Sequence, residues 1–183
     1  RIEAALAAGQ TVFGENRVQE AQARWGPRLK NGRNISLRLI GPLQTNKALD
    51  AVGLFDVIET LDRPKLAKAL AKAMEKLARR IPCLIQVNTG EEKQKAGVFP
   101  ADLSELLGEA TDLGLDVQGL MCIPPVSEPS GPHFALLAKL AEAHQLKTLS
   151  MGMSGDFETA IRFGATHIRV GSALFGARGV SAA

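Results

Sequence analysis

Hydrophobic residues follow two patterns along this chain, short apolar runs and longer segments in which apolar residues recur every three or four positions. The apolar runs predict β-strands, and the amphipathic segments between them predict helices. Seven strands are predicted, at Thr11–Gly14, Ile35–Ile40, Phe55–Thr60, Pro82–Asn88, Val117–Ile123, Thr148–Met153 and His167–Val170. Strands that alternate with helices in this way are typical of an α/β fold with a parallel sheet.

Local signals define the ends of two of the predicted helices. Asn16 is a suitable N-cap, with Gln19 three positions further on, for a helix that the Gly26-Pro27 pair should end. Asp62 is placed to cap a second helix, Pro64–Arg80, which has a proline in its first turn. Both helices are therefore expected to begin at a polar side chain that accepts hydrogen bonds from the first turn.

Two architectures fit the alternation, an open doubly wound sheet and a closed (β/α)8 barrel of the TIM type. An open sheet usually carries a glycine-rich fingerprint after its first strand, and this sequence has none. A closed barrel needs eight strands, and the chain starts at Arg1, already in helical sequence without a cap. We therefore expect a (β/α)8 barrel whose first strand is missing from this chain. Its seven βα units would form one domain over residues 1–178, followed by a short tail over residues 179–183.

Composition narrows the class of protein without defining its chemistry. The chain has 183 residues, of which 45% are hydrophobic and 22% charged, and its formal net charge of +3 is not concentrated in one basic patch. A nucleic-acid partner is therefore not expected, nor is a membrane span, since no apolar run is long enough. Cys83 and Cys122 lie in predicted strands without CxxC spacing, which favours reduced core residues of a cytoplasmic protein. The three histidines have no metal-ligand spacing, so no metal is predicted.

The stretch Leu149–Arg178 carries the clearest indication of a ligand. It contains two apolar runs that each break into a turn, Ser154-Gly155-Asp156 and Gly171-Ser172, with a short predicted helix Phe157–Phe163 between them. Backbone N–H groups at such turns are unpaired, and a following helix adds a positive dipole end. In a parallel barrel the loops after the last two strands commonly bind phosphate. The pattern therefore suits an anion site, and it fits equally well glycines that only permit tight turns.

Short fragments distributed over the whole chain carry a family resemblance. Together they resemble the pyridoxal-phosphate homeostasis proteins, single-domain relatives of the alanine racemase barrel, from residue 1 to about residue 178. The fragments are FGEN at Phe13–Asn16, IGPLQTNK at Ile40–Lys47, QVN at Gln86–Asn88, KAG at Lys95–Gly97, GLM at Gly119–Met121, LSMGMS at Leu149–Ser154, RVG at Arg169–Gly171 and LFGAR at Leu174–Arg178. Each fragment is short, but all occur in the family's order.

The resemblance implies a barrel of the alanine racemase type that holds pyridoxal 5′-phosphate at the carboxyl ends of its strands. Members of the family bind and buffer this cofactor and are not credited with robust amino-acid chemistry. Their Schiff-base lysine at the end of the first strand would lie upstream of Arg1, so no catalytic residue is expected here and binding should be non-covalent or weakened. A second departure is Arg38, where relatives often carry histidine.

The resemblance also implies roles for two polar residues. Asn16 should lie near the cofactor ring, and Arg169 should face the pyridine nitrogen. An arginine there keeps the nitrogen unprotonated, because a second positive charge beside it is unfavourable. Such a ring is a poor electron sink, which favours binding over catalysis. The alternative for Arg169 is a structural ion pair.

The phosphate contacts are predicted from the closing stretch. Ser154, Gly171 and Ser172 are the expected donors, with the backbone of Ser150 and Met153 beside them. Ser154 could also cap the helix that follows it. Two lysines, Lys47 and Lys95, could replace the absent anchor, although solvated loop lysines are the expected interpretation.

Two other functions remain open at this level. An amino-acid racemase or decarboxylase of the same barrel class would want a tyrosine as acid or base, and the sequence contains none. A phosphosugar-binding barrel would use the same anion site. The full-length protein is expected to be a monomer, with association through the open barrel edge as the alternative.

Overall fold

The computed structural model describes residues 1–30 and 35–176 and contains a single parallel sheet. Its strands are β1 Val12–Glu15, β2 Ser36–Leu39, β3 Val57–Leu61, β4 Cys83–Val87, β5 Val117–Cys122, β6 Thr148–Met153 and β7 His167–Arg169. The helices are α1 Ile2–Ala7, α2 Val18–Lys30, α3 Ala48–Leu54, α4 Pro64–Lys76, α5 Leu103–Asp112, α6 Ser130–Ala143, α7 Phe157–Arg162 and α8 Ser172–Phe175. Two 3-10 turns, Thr45–Lys47 and Pro100–Asp102, precede α3 and α5.

Each strand pairs in parallel with the next strand along the chain, so the order in the sheet is β1 to β7 without a reversal. A doubly wound sheet reverses its strand order at a switch point, and this sheet does not. The seven strands form a nearly closed barrel wrapped by helices, which confirms the predicted barrel of seven βα units. The parts of the predicted domain and tail at residues 177–183 lie outside the described residues.

The strands separate two apolar environments. Ile58 and Ile85 belong to the large hydrophobic core between the sheet and its helices. Val57, Leu84 and Met121 form a second, small buried cluster. Because neighbouring strand residues point to opposite sides, Val57 and Leu84 define the barrel interior and Ile58 and Ile85 the helix-facing side. This alternation decides which polar side chains can reach the site.

Helix α2 differs from its prediction at both ends. The helix continues through Gly26-Pro27. Pro27 has no N–H to donate to the Ala23 carbonyl oxygen, but both residues lie on the exposed side of the helix, where water can hydrogen-bond that oxygen instead. The buried Trp25, whose ring lies 4.7 Å from Phe13, holds this part of the helix on the sheet. The Arg17 carbonyl accepts the first helical bond, from Ala21. The cap position is therefore Arg17, and the predicted Asn16 cap is wrong.

The cap expected for α4 is also wrong. The helix begins at Pro64 with Arg63 at its cap position, and no side-chain cap bond forms there. Asp62 instead pairs with Arg63, whose guanidinium also donates to the Leu43 carbonyl oxygen at 2.9 Å. The helix ends at Lys76, earlier than predicted. Asp62 therefore pairs with the neighbouring Arg63, which contacts the loop after β2, and does not cap the helix.

Both cysteines are buried and free. Burial raises the pKa of each thiol to about 12, so neither is a nucleophile at neutral pH. Among the helices of residues 1–30 and 35–176, none is long and apolar enough to cross a membrane.

Candidate functional site

A chain of polar side chains crosses the barrel interior from β2 to β7. Its centre is Glu59 on β3, which is 1% exposed. One carboxylate oxygen accepts a bond from Arg38 Nε on β2. The other accepts a bond from the Ser150 hydroxyl on β6 at 2.5 Å. Two strands that are far apart in the sheet order are therefore joined through one buried carboxylate.

Arg169 on β7 extends this chain to the mouth of the barrel. Its Nη1 donates to Ser150 Oγ at 2.8 Å, and its Nη2 donates to the Cys122 carbonyl oxygen at 2.8 Å. Burial lowers the pKa of the guanidinium from its ordinary value, and the nearby Glu59 carboxylate opposes that shift. An arginine stays protonated at neutral pH even so. The site therefore contains a fixed cation held by two hydrogen bonds.

Glu59 was not singled out in the sequence, although a signal for it exists. The predicted strands Ile35–Ile40 and Phe55–Thr60 both contain charged residues, Arg38 in the first and Asp56 and Glu59 in the second. A charge inside a buried strand needs a partner, because an unpaired buried charge is very unfavourable. Two neighbouring strands with opposite charges are therefore a reason to expect the pair. Arg38, the residue that departs from the family pattern, therefore has a buried counter-charge in Glu59.

A group of backbone donors lies where β6 and β7 end. The Ser154 hydroxyl oxygen accepts bonds from the N–H groups of Gly171 at 3.3 Å and Ala173 at 3.2 Å. Ser172, the first residue of α8, lies between these donors in sequence and is exposed. We name Ser154, Gly171, Ser172 and Ala173 the donor cup. The structure thus brings together Ser154 and Gly171 from different strand ends, at a point that solvent can reach.

Two other predicted phosphate neighbours lie differently from expectation. The Met153 N–H donates to Asp156 Oδ1 at 2.6 Å and is not directed into the donor cup. Ser150 lies inside the parallel ladder, opposite Met121 on one side and His167 on the other. Its hydroxyl contacts Glu59 and Arg169. The cap position of α7 is Asp156 rather than Ser154.

Asn16 follows the end of β1 and is half-buried. Its backbone packs closely on Gly41 after β2, where any Cβ would overlap the Asn16 carbonyl oxygen. The glycine therefore lets the ends of β1 and β2 approach each other. Among the described residues the Asn16 side chain has no hydrogen-bond partner, so its amide can serve a ligand.

The lysines considered as substitute anchors are in surface ion pairs. Lys47 Nζ lies 3.6 Å from Asp50 Oδ2, and Lys95 Nζ lies 2.6 Å from Glu92 Oε2. Both pairs join residues three apart in one turn. None of the strands β1 to β7 carries a lysine. The described interior therefore supplies no amine.

The histidines contribute to structure in different places. His167 on β7 is half-buried, and burial followed by the positive charge of Arg38 lowers its pKa, against the influence of Glu59. His133 on α6 contacts Thr89 Oγ1 at 3.1 Å and Glu128 Oε2 at 3.2 Å, joining two loops at the carboxyl ends of the strands. In the part of the chain that the structure describes, no three His, Cys, Asp or Glu residues form a metal-binding group.

The parallel barrel, which has the donor cup after its last two strands and the half-buried Arg169 two residues before Gly171, is a barrel of the alanine racemase class. The profile of the family described as "Alanine racemase, N-terminal domain" matches residues 1–179. Relatives named pyridoxal phosphate homeostasis protein cover nearly all of the chain. The chain belongs to the pyridoxal phosphate homeostasis protein family.

The similarity to these relatives is high along the whole sequence. The Aquifex aeolicus protein is 42% identical over 93% of this chain and 78% of its own length. The Vibrio alginolyticus protein is 40% identical over 97% of this chain and 81% of its own length. The Haemophilus influenzae protein is 36% identical over 98% of this chain and 81% of its own length. The chain thus spans about four fifths of these relatives.

Solved structures give the same result for the fold. PipY of Synechococcus elongatus, solved without PLP, is 41% identical with a TM-score of 0.88 and covers 96% of this chain and 86% of its own. The same protein with PLP bound is 39% identical with a TM-score of 0.85 and equal coverage. An alanine racemase of Clostridium difficile has a TM-score of 0.72 at 12% identity, covers 98% of this chain and 49% of its own, and shows the barrel fold alone.

Proposed function

We propose that this chain binds pyridoxal 5′-phosphate at the carboxyl ends of β6 and β7 and acts in the homeostasis of that cofactor. The observation that carries the proposal is the donor cup, where the Gly171 and Ala173 N–H groups converge on a single acceptor position. Relatives of the same name and the PLP-bound PipY structure support it. The residues must also fit the two ends of the cofactor.

The donor cup fits the phosphate end. A phosphate oxygen accepts hydrogen bonds as the Ser154 oxygen does, and backbone N–H groups are suitable donors for it. A Cβ added at Gly171 would meet nothing within 4 Å, so the space beside this donor is open. Ser154, Gly171 and Ser172 would therefore hold the phosphate, and the Met153 side chain, 39% exposed, would border it.

The interior arginine fits the ring end. Arg169 is a permanent donor and cation, so it suits an unprotonated pyridine nitrogen and disfavours protonation of that atom. When bound, the cofactor supplies an aldehyde and an electron-withdrawing ring, whose electron-sink character depends on that protonation. Arg169 therefore promotes binding and opposes carbanion chemistry. Asn16, whose amide is free, would contact the ring from β1, and Ser150 would act by holding Arg169.

The contacts that the described residues supply to the cofactor are non-covalent. Lys47 and Lys95 form ion pairs with acidic residues three positions away, and none of the described strands β1 to β7 carries a lysine. Binding through these residues rests on the phosphate, the ring nitrogen and Asn16. Treatment of the protein and cofactor with borohydride, followed by peptide mass spectrometry, should therefore give no modified peptide at Lys47 or Lys95.

A cytoplasmic, monomeric protein is part of the proposal. Two free, buried cysteines are compatible with a reducing compartment. A cofactor reservoir needs access from solvent to its site, and the exposed donor cup meets this need in one chain. Light scattering of the purified protein, with and without cofactor, measures the oligomeric state directly.

A titration tests the function. We expect pyridoxal 5′-phosphate to bind at a 1:1 ratio in calorimetry, and pyridoxal without phosphate to bind at least about tenfold more weakly, because charge-assisted hydrogen bonds are lost. Binding of glucose 6-phosphate without binding of pyridoxal phosphate would select a phosphosugar barrel instead. Turnover of an amino acid by the loaded protein would select the racemase or decarboxylase alternative.

A further inference from the structure

We propose that Glu59 is a positioning residue, which sets the direction of the Ser150 hydroxyl group and thereby aims the Arg169 guanidinium into the barrel mouth. Glu59 is separated from Ser150 by 91 residues in sequence and contacts it across the barrel interior. It also bonds Arg38. Within residues 1–30 and 35–176, no hydrogen bond or ion pair joins Glu59 to the donor cup, so it acts on a ligand there only through another side chain.

The first step is the direction of the Ser150 hydroxyl. A serine hydroxyl has one proton to donate and two lone pairs to accept with, and an ionised carboxylate only accepts. The Ser150 proton therefore points to Glu59 Oε2, at 2.5 Å. Both lone pairs then remain on the opposite side, where Arg169 Nη1 donates at 2.8 Å. The Glu59 carboxylate thus sets which group donates and which accepts in the hydrogen bonds that join Glu59, Ser150 and Arg169.

The second step is the rigidity of Glu59 itself. Its other oxygen accepts the bond from Arg38 Nε, and only 1% of the residue is exposed. Arg38 and Glu59 lie on the neighbouring strands β2 and β3. A carboxylate held at both oxygens cannot rotate, so the acceptor for Ser150 stays in place.

The third step is the orientation of Arg169. Its two terminal nitrogens are bonded to acceptors on different strands, Ser150 Oγ on β6 and the Cys122 carbonyl on β5. Two such bonds define the plane of a guanidinium group. Without Glu59 the Ser150 proton is free to turn, and one of the two bonds loses its fixed acceptor. The remaining Arg169 N–H groups would then no longer keep one direction.

The role of Glu59 rests on the proposed function only for the identity of the ligand that Arg169 contacts. The orientation of Arg169 is a property of the free protein and can be measured without any ligand. A second role for Glu59, simple neutralisation of Arg38, predicts loss of stability with no change at Arg169. These two roles therefore differ in what they predict for one side chain.

The experiment compares two substitutions of buried carboxylates. Glu59→Gln keeps the size of the side chain and removes an acceptor. Glu15→Gln is the matched control, because Glu15 is 7% exposed and accepts bonds from Arg24 and Trp25 on the helix-facing side of the sheet. Both changes remove a buried carboxylate that pairs with an arginine. Only the first lies in the interior.

The first readout is nitrogen-15 NMR of the Arg169 guanidinium in the ligand-free protein, assigned with Arg169→Lys. We expect separate signals from the two terminal nitrogens in the wild type and in Glu15→Gln, since rotation is hindered. We expect one averaged signal in Glu59→Gln. Separate signals that persist in Glu59→Gln would overturn the proposal, whether or not the protein binds pyridoxal phosphate.

The second readout is the dissociation constant of pyridoxal 5′-phosphate. We expect Glu59→Gln to raise it on the order of tenfold, the effect of losing one hydrogen bond to a charged group, and Glu15→Gln to leave it unchanged. If the wild type binds no pyridoxal phosphate, the proposed function fails while the NMR result still decides the role of Glu59. Equal dissociation constants in wild type and Glu59→Gln would overturn the proposal.

A second variant covers the case in which Glu59→Gln does not fold. Ser150→Ala removes the hydroxyl between Glu59 and Arg169 and keeps the Arg38–Glu59 pair. We expect the same averaged Arg169 signal and the same tenfold weakening. An unchanged Arg169 signal in Ser150→Ala would show that the carboxylate does not act through the hydroxyl and would overturn the proposal.

Discussion

Glu15 and Glu59 are both buried carboxylates that pair with arginine, on opposite faces of one sheet. Glu15 on β1 accepts two bonds from Arg24 at 2.6 Å and one from the indole N–H of Trp25 at 2.6 Å. All three groups lie within ten residues of each other in sequence. Glu59 joins Arg38 and Ser150, which lie 21 and 91 residues away. The outer carboxylate fixes a helix on its own strand, and the inner one joins distant strands.

The two carboxylates also differ in how far their arginine partners are exposed to solvent. The partner of Glu15 reaches solvent, since the Arg24 side chain is 40% exposed, whereas the Arg38 side chain is 14% exposed. Breaking a charge pair lowers the free energy of unfolding less when one partner is solvated than when both partners are buried. The inner network also ends at Arg169, beside the donor cup. Substitutions on the two faces should therefore differ in both stability and binding.

The largest effect is expected from Glu59→Leu. It removes the acceptor of two buried donors and leaves the Arg38 charge unpaired, so the free energy of unfolding should fall by about 3–5 kcal/mol. Urea denaturation followed by circular dichroism measures this change.

The double variant Arg38→Met with Glu59→Leu is the control for this prediction. Removing both charges should recover most of the loss, because a buried pair replaced by apolar residues of similar size is often neutral in stability. A double variant as unstable as Glu59→Leu alone would mean that the leucine shape, and not the unpaired charge, destabilises the protein.

The outer carboxylate should give a smaller effect. Glu15→Gln keeps an oxygen for Trp25 but weakens the bonds from Arg24, so a loss of about 1.5–3 kcal/mol in the free energy of unfolding is expected. Trp25 fluorescence during thermal unfolding reports on the same contact. A loss as large as that of Glu59→Leu would remove the distinction between the two faces.

A smaller effect, and one on binding alone, is expected at the mouth of the barrel. Ser154→Asp places a carboxylate where the Gly171 and Ala173 N–H groups converge, and this charge would compete with the phosphate and repel it. We expect pyridoxal phosphate to bind at least about tenfold more weakly by calorimetry, about 1.4 kcal/mol. Ser104→Asp, which adds the same charge at an exposed position of α5, should bind as the wild type does. Equal weakening by both would indicate a general charge effect.

Some features of the fold and the site could be predicted from local sequence signals, and others could not. The Thr148–Met153 strand was predicted with its observed bounds, because apolar runs and turn residues are local signals. Ser154 and Gly171 were assigned to one site from the class of fold. The end of α2 could not be predicted, since Trp25 packing outweighs the Gly26-Pro27 signal. Glu59 contacts Ser150 across 91 residues, and no local pattern indicates such a pair.

The smallest expected effect concerns pH and the inner face. His167 is half-buried, and burial and the Arg38 charge lower its pKa below the ordinary value of 6.5. The unfolded chain therefore takes up a proton at a higher pH than the folded protein does. The folded state loses stability as the pH falls below about 6.5, until the imidazole also titrates in the folded protein. Urea unfolding between pH 7.5 and 5.5 should show this slope in the wild type and a shallower one in His167→Gln. Equal slopes would mean that neither burial nor the Arg38 charge lowers the pKa of the imidazole in the folded protein, and that the inner face does not make stability depend on pH at this position.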